Sequence, residues 1–281
     1  MKDIHRILLV TKADNLQAAE LGGQIMDWLV QRGLQVRQVE NRLATSIMMT
    51  DSENPDLIMV VGGDGTMLGV IRRIHGLGIP VLGVNAGHVG FLAESCSEGW
   101  ESKLGLLLDG RFTVWDRPVL KYEVIKNGRS VQTGPAVNDI VVGRGSLARL
   151  IRLDISYGGE PVTGLRADGL ITATPTGSSG YGISCGGPLV HPSMAAYVLI
   201  PICPFMGGFP PMILPMDKTV VIRLAERQSG VYLTLDGQEC LGLDFGDEVR
   251  ISRDPVPARF LELSSDAYFS RLRDKGFVRS D

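Results

Sequence analysis

Residues 57–66 read LIMVVGGDGT and give the clearest indication of the fold of the N-terminal region. The first five of these residues form an unbroken apolar run, which is typical of a strand buried on both faces of a parallel sheet. The glycines predict a tight turn, and a helix is expected from Met67 to Ile74. In an open α/β sheet, ligands bind beyond the carboxyl ends of the strands, and glycines there let the backbone approach a phosphate. The alternative is a strand-to-helix turn that needs glycine only for its shape.

Two commoner phosphate-binding loops do not fit this turn. The chain contains no Gly-Lys pair, which excludes a Walker A loop. Leu68 stands where a dinucleotide-binding fingerprint that includes Gly63 and Gly65 needs a glycine. Asp64 also lies among the glycines, where a loop that only holds phosphate gains nothing from a negative charge. A carboxylate at this position indicates metal binding or proton abstraction.

The chain on the two sides of about residue 110 is organised differently. Before it, predicted strands at 7–10, 34–39 and 80–84 alternate with helices, one of them capped by Asp14 and running to about Arg32, which indicates a parallel sheet with helices on its faces. After it, short predicted strands are separated by turn signals, at residues 122–125, 136–142, 151–157, 169–173, 219–224, 231–235 and 248–252. We therefore expect three parts, namely an α/β domain at 1–110, a β-rich domain at 111–257, and a segment at 258–281 that packs back on the first domain.

The bulk composition argues against several classes of partner. Apolar residues make up 44% of the 281 residues, and the formal net charge is −3. A slightly acidic chain has no general attraction for nucleic acid or anionic membrane, so neither is an expected partner. No stretch approaches the roughly 18 apolar residues that span a bilayer, and no signal peptide is recognisable, so a cytoplasmic location is expected. The four cysteines show no metal-binding spacing and are expected to be free thiols.

Three later segments place polar groups where a ligand could bind. Asn138 and Asp139 interrupt an apolar run, so either they line a pocket and bond a ligand or they mark a β-bulge or the end of a strand. Residues 174–184, TPTGSSGYGIS, surround Tyr181 with small and hydroxyl residues, and its ring can stack on a flat ligand. Apolar strands on both sides make a flexible loop a poor explanation. On local evidence the third segment, Asp236-Gly237-Gln238, is only a hairpin turn.

Taken together, these segments resemble the motifs of the NAD kinase family, in the same order and at similar distances. The resemblance spans about Val60 to Gln238 and includes the GGDGT turn, the Asn-Asp pair, the TPTGS-type segment with a following Gly-Gly-Pro, and the late DGQ. It implies an α/β N-terminal domain plus a mainly β, β-sandwich-like C-terminal domain. It also implies an enzyme that transfers a phosphoryl group from ATP, or another phosphoryl donor, to the 2′-hydroxyl of the adenosine ribose of NAD to give NADP.

The resemblance implies roles for particular residues. Asp64 would be the general base, and a divalent metal cation such as Mg²⁺ would assist, with no residue assigned as its ligand. Asp168 would contact NAD bound mainly to a neighbouring subunit of a homodimer or homotetramer, and Arg166 resembles members that prefer NAD to NADH. The phosphate loop would be Gly62, Gly63, Gly65 and Thr66. The NAD-binding residues would be Asp64, Gly65, Asn138, Asp139, Arg149, Arg166, Asp168, Thr176, Ser179, Gly180, Tyr181, Gly182, Ile183, Ser184 and Gln238.

The sequence also departs from the family pattern. Ser179-Gly180 replaces the usual Thr-Ala, which keeps a hydroxyl and loosens the loop. In the family-like stretch 85–92, NAGHVGFL, His88 replaces a frequent arginine. Residues 204–211, PFMGGFPP, differ from the family's pattern in a region that bears on subunit contacts and pocket shape.

Two other functions compete with this interpretation. A lipid kinase of the same wider superfamily would share the GGDGT loop, but it would not be expected to carry the TPTGS-type segment or the Asn-Asp pair. A non-catalytic dinucleotide sensor could keep the binding segments and lose the base, and Asp64 argues against that.

Overall fold

The computed structural model describes residues 4–42, 54–85, 90–95, 99–145, 149–263 and 267–278. The helices are α1 (Leu16–Val30), α2 (Asp64–Arg73), α3 (Trp100–Leu108), α4 (Tyr181–Ser184) and α5 (Ala267–Asp274). The strands are β1 (Arg6–Lys12), β2 (Gln35–Asn41), β3 (Leu57–Val61), β4 (Val81–Asn85), β5 (Glu94–Ser95), β6 (Thr113–Arg117), β7 (Leu120–Lys126), β8 (Arg129–Ala136), β9 (Asp139–Arg144), β10 (Ile151–Tyr157), β11 (Glu160–Ala167), β12 (Gly169–Ala173), β13 (Ala196–Ile202), β14 (Met212–Pro215), β15 (Val220–Leu224), β16 (Val231–Leu235), β17 (Glu239–Leu243), β18 (Glu248–Arg253) and β19 (Ala258–Glu262).

The chain forms two compact units. The first consists of Met1–Asp116 together with Ala258–Asp281, and the second is Arg117–Pro257. The last strand and the last helix, β19 and α5, therefore belong to the first unit although they follow the second in sequence.

The first unit is built on a sheet whose strands follow the order β2-β1-β3-β4-β19-β6, with β5 paired beside β4. The pairs β1–β2, β1–β3, β3–β4 and β4–β19 are parallel. Every residue of β3 and β4 is buried, as the apolar run at 57–61 predicts. The chain leaves β1 toward β2 on one side and returns to β3 on the other. The turn after β3 therefore lies at the point where strand order reverses, the usual ligand-binding edge of such sheets.

Both predicted helix starts in this unit need correction. The Asn15 side chain caps α1 by accepting a hydrogen bond from the N–H of Ala18 at 2.8 Å, while Asp14 lies outside the helix with a φ of 53°. α2 begins at Asp64 rather than at Met67. A carboxylate in the first turn of a helix is stabilised by the partial positive charge there, which favours this earlier start.

The second unit is a β-sandwich. One sheet has the order β11-β10-β15-β18-β7-β8 and the other β14-β13-β12-β9-β16-β17. The apolar cluster between them includes Tyr122 and Val249 from the first sheet and Tyr197 and Leu233 from the second. An α/β N-terminal part followed by a β-sandwich-like C-terminal part is the fold class that the sequence resemblance implies, and it is confirmed.

The predicted strand at 136–142 is wrong in one respect. β8 ends at Ala136 and β9 begins at Asp139, so a turn separates two strands there. Cys185, Cys203 and Cys240 are free thiols, and Cys96 lies outside the described residues. In the part of the chain that the structure describes, no helix has the length and apolar character needed to cross a membrane.

Candidate functional site

Three successive backbone N–H groups hold the Asp64 carboxylate. Phe91 donates to Oδ2 at 2.7 Å, and Leu92 and Ala93 donate to Oδ1 at 3.0 and 3.3 Å. Residue 90 must be small for this to happen, because a Cβ on Gly90 would overlap the carboxylate. The segment that binds this carboxylate lies more than 25 residues further along the chain.

The predicted phosphate loop is a tight turn from β3 into α2. The N–H of Gly62 donates to the carbonyl of Val84 at 2.9 Å, which ties the turn to β4. A Cβ on Gly62 would lie 2.9 Å from the Thr66 hydroxyl, so this position needs close backbone approach. Gly65 is exposed, and a Cβ on Gly63 would meet nothing within 4 Å. The turn thus has one packed side and one open side at the start of a helix, where backbone N–H groups favour anions. Residues 86–89, including His88, lie outside the described residues.

In the second unit, Asp236 organises the Asn138-Asp139 turn. Its Oδ1 accepts from the N–H groups of Val137, Asn138 and Asp139 at 3.0, 2.7 and 3.1 Å, and its own N–H donates to the carbonyl of Asp139 at 2.9 Å. Asp236 is 8% exposed, so these bonds are shielded from water. The predicted hairpin turn at Asp236-Gly237 is confirmed between β16 and β17. Asp236 also accepts the hydrogen bonds from residues 137–139, which the local sequence of the turn does not predict.

Asp139 is the more unusual of the two carboxyl groups. It is 5% exposed. Burial, and secondarily the negative charge of Asp236, raise the pKa of the Asp139 carboxyl to about 7. Near neutral pH this group is therefore partly protonated, and a protonated carboxyl can donate one hydrogen bond as well as accept others.

The TPTGSSGYGIS segment is fastened to the same turn. The Thr174 hydroxyl donates to the carbonyl of Val137 at 2.7 Å and accepts from the N–H of Gly177 at 3.0 Å. A side chain on Gly177 would overlap the backbone of Asn138, so glycine permits this contact. The segment is ordered by its own bonds and is not a flexible loop, because Ser178 donates to the carbonyl of Pro175 at 2.7 Å.

Two buried side-chain oxygens at this junction, Asn138 Oδ1 and Thr176 Oγ1, have no hydrogen-bond partner among the described residues. An unpaired buried polar atom typically costs about 1–3 kcal/mol. Since both atoms belong to residues that the sequence assigns to NAD binding, a polar ligand that bonds them would remove that cost.

The remaining part of the segment forms a 3₁₀ turn and a short helix. Ser179 closes the turn Thr176–Ser179, and its hydroxyl donates to the carbonyl of Thr176 at 3.3 Å. A Cβ on Gly180 would lie 3.6 Å from Asn138 Nδ2, so the segment and the turn are neighbours. α4 carries the other four predicted residues, of which Gly182 is buried, Ile183 is half-buried, and Tyr181 and Ser184 are exposed.

A cavity of about 380 Å³ lies beside α4 in the second unit, within the size range of small-molecule sites. Its lining includes Tyr181, Asp168, Arg144, Tyr232 and Thr234. Arg144 binds Asp168 with two hydrogen bonds, Nε to Oδ1 at 2.6 Å and Nη2 to Oδ2 at 3.0 Å. The sequence did not single out Arg144, because nothing at the end of a strand distinguishes a pairing arginine from a solvated one.

The other predicted binding residues are more scattered. Arg166 lies on β11 in the other sheet, with its guanidinium 5.7 Å from the ring centre of Phe205. Arg149 is exposed, and its carbonyl accepts from Gln228 at 3.1 Å. Gln238 is exposed at the end of the turn after β16, and its N–H donates to the carbonyl of Leu235. The structure brings together Asn138, Asp139, Thr176 and residues 179–184. Of all the predicted NAD-binding residues, only Asp168 and Tyr181 are among the described residues that line the cavity.

Comparison with known proteins matches both halves of the chain to one family. Residues 39–112 match the ATP-NAD kinase N-terminal domain, and residues 137–263 match the ATP-NAD kinase C-terminal domain. An NAD kinase from Nitratidesulfovibrio vulgaris (strain DSM 19637 / Miyazaki F) is 45% identical over 276 residues, covering 98% of each chain. An NAD kinase from Oleidesulfovibrio alaskensis is 45% identical over 278 residues, covering 99% of this chain and 95% of that protein.

Two solved structures have a fold similar to that of this chain. The crystal structure of an NAD kinase from Archaeoglobus fulgidus in complex with ATP aligns with a TM-score of 0.77 at 26% identity, covering 96% of this chain and 99% of that one. The crystal structure of yeast NADH kinase complexed with NADH aligns with a TM-score of 0.84, covering 100% of this chain and 89% of that one. At 23% identity the second similarity concerns the fold alone.

Proposed function

Because the chain belongs to the NAD kinase family, we propose that Asp64 is the general base of its reaction and that the Asn138-Asp139 turn holds the dinucleotide. The chain is an enzyme that phosphorylates NAD to NADP with ATP. What remains to be assigned is the part that each residue plays in this transfer.

The observation that carries the assignment of the base is the hydrogen bonding of the Asp64 carboxylate. A carboxylate offers about four lone-pair positions. Three are used by the N–H groups of residues 91–93, and they fix the carboxylate at the first residue of α2. One position is left for the 2′-hydroxyl of the adenosine ribose, whose proton Asp64 accepts as the oxygen attacks the phosphorus.

The rest of the transfer depends on positioning. In phosphoryl transfer the protein mainly aligns the attacking oxygen, the phosphorus and the leaving oxygen. We place the donor phosphates on the open side of the turn formed by Gly62, Gly63, Gly65 and Thr66. The buried acceptors Asn138 Oδ1 and Thr176 Oγ1 fit the hydroxyl and amino groups of a nucleoside, and Tyr181 offers an exposed ring for stacking.

A divalent metal is part of this proposal as a companion of the nucleotide. Among the described residues, no three His, Cys, Asp or Glu side chains come together in a way that could hold a metal ion. Mg²⁺ in kinase sites is commonly held by one or two carboxylates together with substrate phosphates. We therefore expect the metal to enter with ATP, with the phosphates of the nucleotide among its ligands. When bound, the metal spreads the charge of the transferring phosphoryl group.

Several finer assignments stay predictions. They are the homodimer or homotetramer in which Asp168 reaches a neighbouring subunit's NAD, the preference for NAD over NADH through Arg166, the use of donors other than ATP, and the cytoplasmic location. The domain limits 1–110, 111–257 and 258–281 also stay a prediction.

The role of Asp64 is tested by Asp64→Asn. The amide keeps the size of the side chain and removes the base, so kcat should fall about 10²- to 10⁴-fold. The dissociation constant for NAD should change much less, because the proposed nucleoside contacts lie on other segments. Asp109→Asn, at an exposed aspartate just after α3, is the matched control. A kcat for Asp64→Asn within about tenfold of wild type would remove Asp64 from the mechanism.

A further inference from the structure

The N–H groups that hold Asp64 belong to a short segment that is itself held from one side. Leu92 and Ala93 are buried, and the backbone there packs against β4, since a Cβ on Gly83 would lie 2.8 Å from Ala93 Cα. Phe91 is different because its side chain is only half-buried. Its ring meets the ring of Phe277 with centroids 5.4 Å apart and planes at 54°. A tilted pair at this separation is a favourable aromatic contact.

Phe277 is delivered to this position by the way α5 ends. The N–H of Phe277 donates to the carbonyl of Leu272 at 2.9 Å, and the N–H of Gly276 donates to the carbonyl of Arg273 at 2.8 Å. Gly276 has a φ of 73°. This is the Schellman pattern, in which a left-handed glycine ends the helix and fixes the direction of the next residue. The aromatic ring is therefore placed by backbone geometry as well as by its contact.

α5 is anchored to the sheet that carries the site. Arg271 donates to Glu262 Oε1 at 2.7 Å, with both side chains about nine-tenths buried, and Leu272 is 4% exposed. β19 ends at Glu262. It pairs in parallel with β4, and Phe260 lies opposite Val81 in that pair. Contacts therefore run without a break from β19 through α5 and Phe277 to Phe91, and from the backbone of residues 91–93 to Asp64.

We infer that Phe277 is a positioning residue for the phosphoryl transfer, which acts on Asp64 through Phe91, and that the C-terminal helix exists in this fold partly to hold the carboxylate. The inference rests on the proposed role of Asp64. Without the ring of Phe277, one face of Phe91 loses its partner, and the three N–H groups no longer define one position for the carboxylate. Misplacing a reacting group by about 1 Å can cost on the order of 10²-fold in rate, so a partial loosening should cost roughly tenfold.

The experiment is a double-mutant cycle on kcat with Phe277→Ala and Asp64→Asn. Phe277→Ala alone should lower kcat roughly tenfold while the dissociation constant for NAD stays within about twofold of wild type. Added to Asp64→Asn, the same change should have almost no further effect, because the group that it positions is already gone. A purely structural role predicts instead that the two losses multiply.

Control variants keep the cycle decisive. Phe269→Ala removes another aromatic ring from α5, one that is 59% exposed, and should leave kcat unchanged. Phe277→Tyr keeps the ring and should restore most of the rate, and Phe277→Leu serves if the alanine variant does not fold. If kcat of Phe277→Ala or Phe277→Leu equals wild type while Asp64→Asn is impaired, the inference fails and the proposed base stands. If Asp64→Asn itself is nearly as active as wild type, both fail.

Discussion

Asp64 in the first unit and Asp236 in the second use the same hydrogen-bonding arrangement for different purposes. Each carboxylate accepts from the N–H groups of three successive residues, 91–93 for Asp64 and 137–139 for Asp236. Asp64 is half-buried, whereas Asp236 is 8% exposed. The half-buried carboxylate keeps a side that is open to solvent, while the buried one is shielded from water together with the backbone that it holds.

The two units differ in which partner of these hydrogen bonds carries the proposed function, the carboxylate or the backbone segment. In the first unit the carboxylate that receives the N–H groups is the proposed base, and the backbone positions it. In the second unit the receiving carboxylate positions the backbone, and the residues proposed to bind the ligand, Asn138 and Asp139, are on that backbone. A change near Asp64 should therefore act on kcat, and a change near Asp236 should act on the binding of NAD.

Gly90→Ala is the stronger of the changes that probe this comparison. The added Cβ would overlap the Asp64 carboxylate, so either the carboxylate or the segment must move. We expect kcat to fall on the order of 10²-fold, the cost of misplacing a reacting group by about 1 Å, with a much smaller change in the dissociation constant for NAD. Steady-state kinetics and calorimetric binding of NAD measure the two quantities.

Gly105→Ala is the control for that change, because a Cβ at Gly105 in α3 would meet nothing within 4 Å. It should leave kcat unaltered. A Gly90→Ala enzyme with normal kcat would show that Asp64 works equally well when displaced, and the first half of the comparison would then be lost.

Asp236→Asn probes the second unit. The amide group keeps one acceptor oxygen, but it loses the charge and turns an N–H₂ toward backbone donors or toward Asp139. Hydrogen bonds to charged groups contribute about 1.5–3 kcal/mol each, so partial loss should weaken NAD binding by roughly tenfold. The loss in kcat at saturating NAD should be smaller than the loss in affinity.

Asp154→Asn, at an exposed position on β10, is the matched control in the same unit. The binding of NAD to it should be unchanged. Should Asp236→Asn lower kcat strongly and leave the affinity for NAD intact, Asp236 would belong with the chemistry, and the two carboxylates would not differ as described.

The sheet of the first unit and several strands of the second could be predicted from sequence because their signals are local. Residues 57–61 are apolar and fully buried, and the predicted limits at 151–157, 169–173 and 231–235 agree with β10, β12 and β16. β8 was not predicted, because its first five residues are exposed and do not alternate between apolar and polar side chains.

β13 was expected only as an apolar strand of unstated limits after residues 174–184. It contains Pro201, and a proline argues against a strand inside a sheet. The structure resolves the conflict, because β14 pairs only with Ala196–Leu199. At Pro201 the strand has β12 on one side, through the pair with Leu170, and an open edge on the other. A proline without an N–H is tolerated there.

The two carboxylate arrangements could not be predicted, because both join distant parts of the chain. Asp236 is 97 to 99 residues away from the N–H groups that it accepts, and Asp64 is 27 to 29 residues away. The motifs pointed to Asp64, Asn138 and Asp139 as site residues, but their partners depend on how the sheets are assembled. Residues such as Asp236 and Phe277 become visible only when the fold brings their contacts together.

The last expected effect concerns the stability of the protein and the buried carboxyl group of Asp139 in the second unit. Burial first, and the charge of Asp236 second, raise the pKa of Asp139 to about 7, above an unfolded value of about 3.9. The native state therefore binds this proton more tightly than the unfolded chain. The resulting stability is fully present below about pH 4 and is lost as the pH rises through about 7. Asp139→Asn cannot titrate, so the free energy of unfolding of the variant should rise relative to that of wild type between pH 5 and pH 8, by roughly 2–3 kcal/mol. Urea unfolding at the two pH values measures this gain, with Asp154→Asn expected to follow wild type. A constant difference between Asp139→Asn and wild type would mean that Asp139 is charged throughout this pH range in the folded protein.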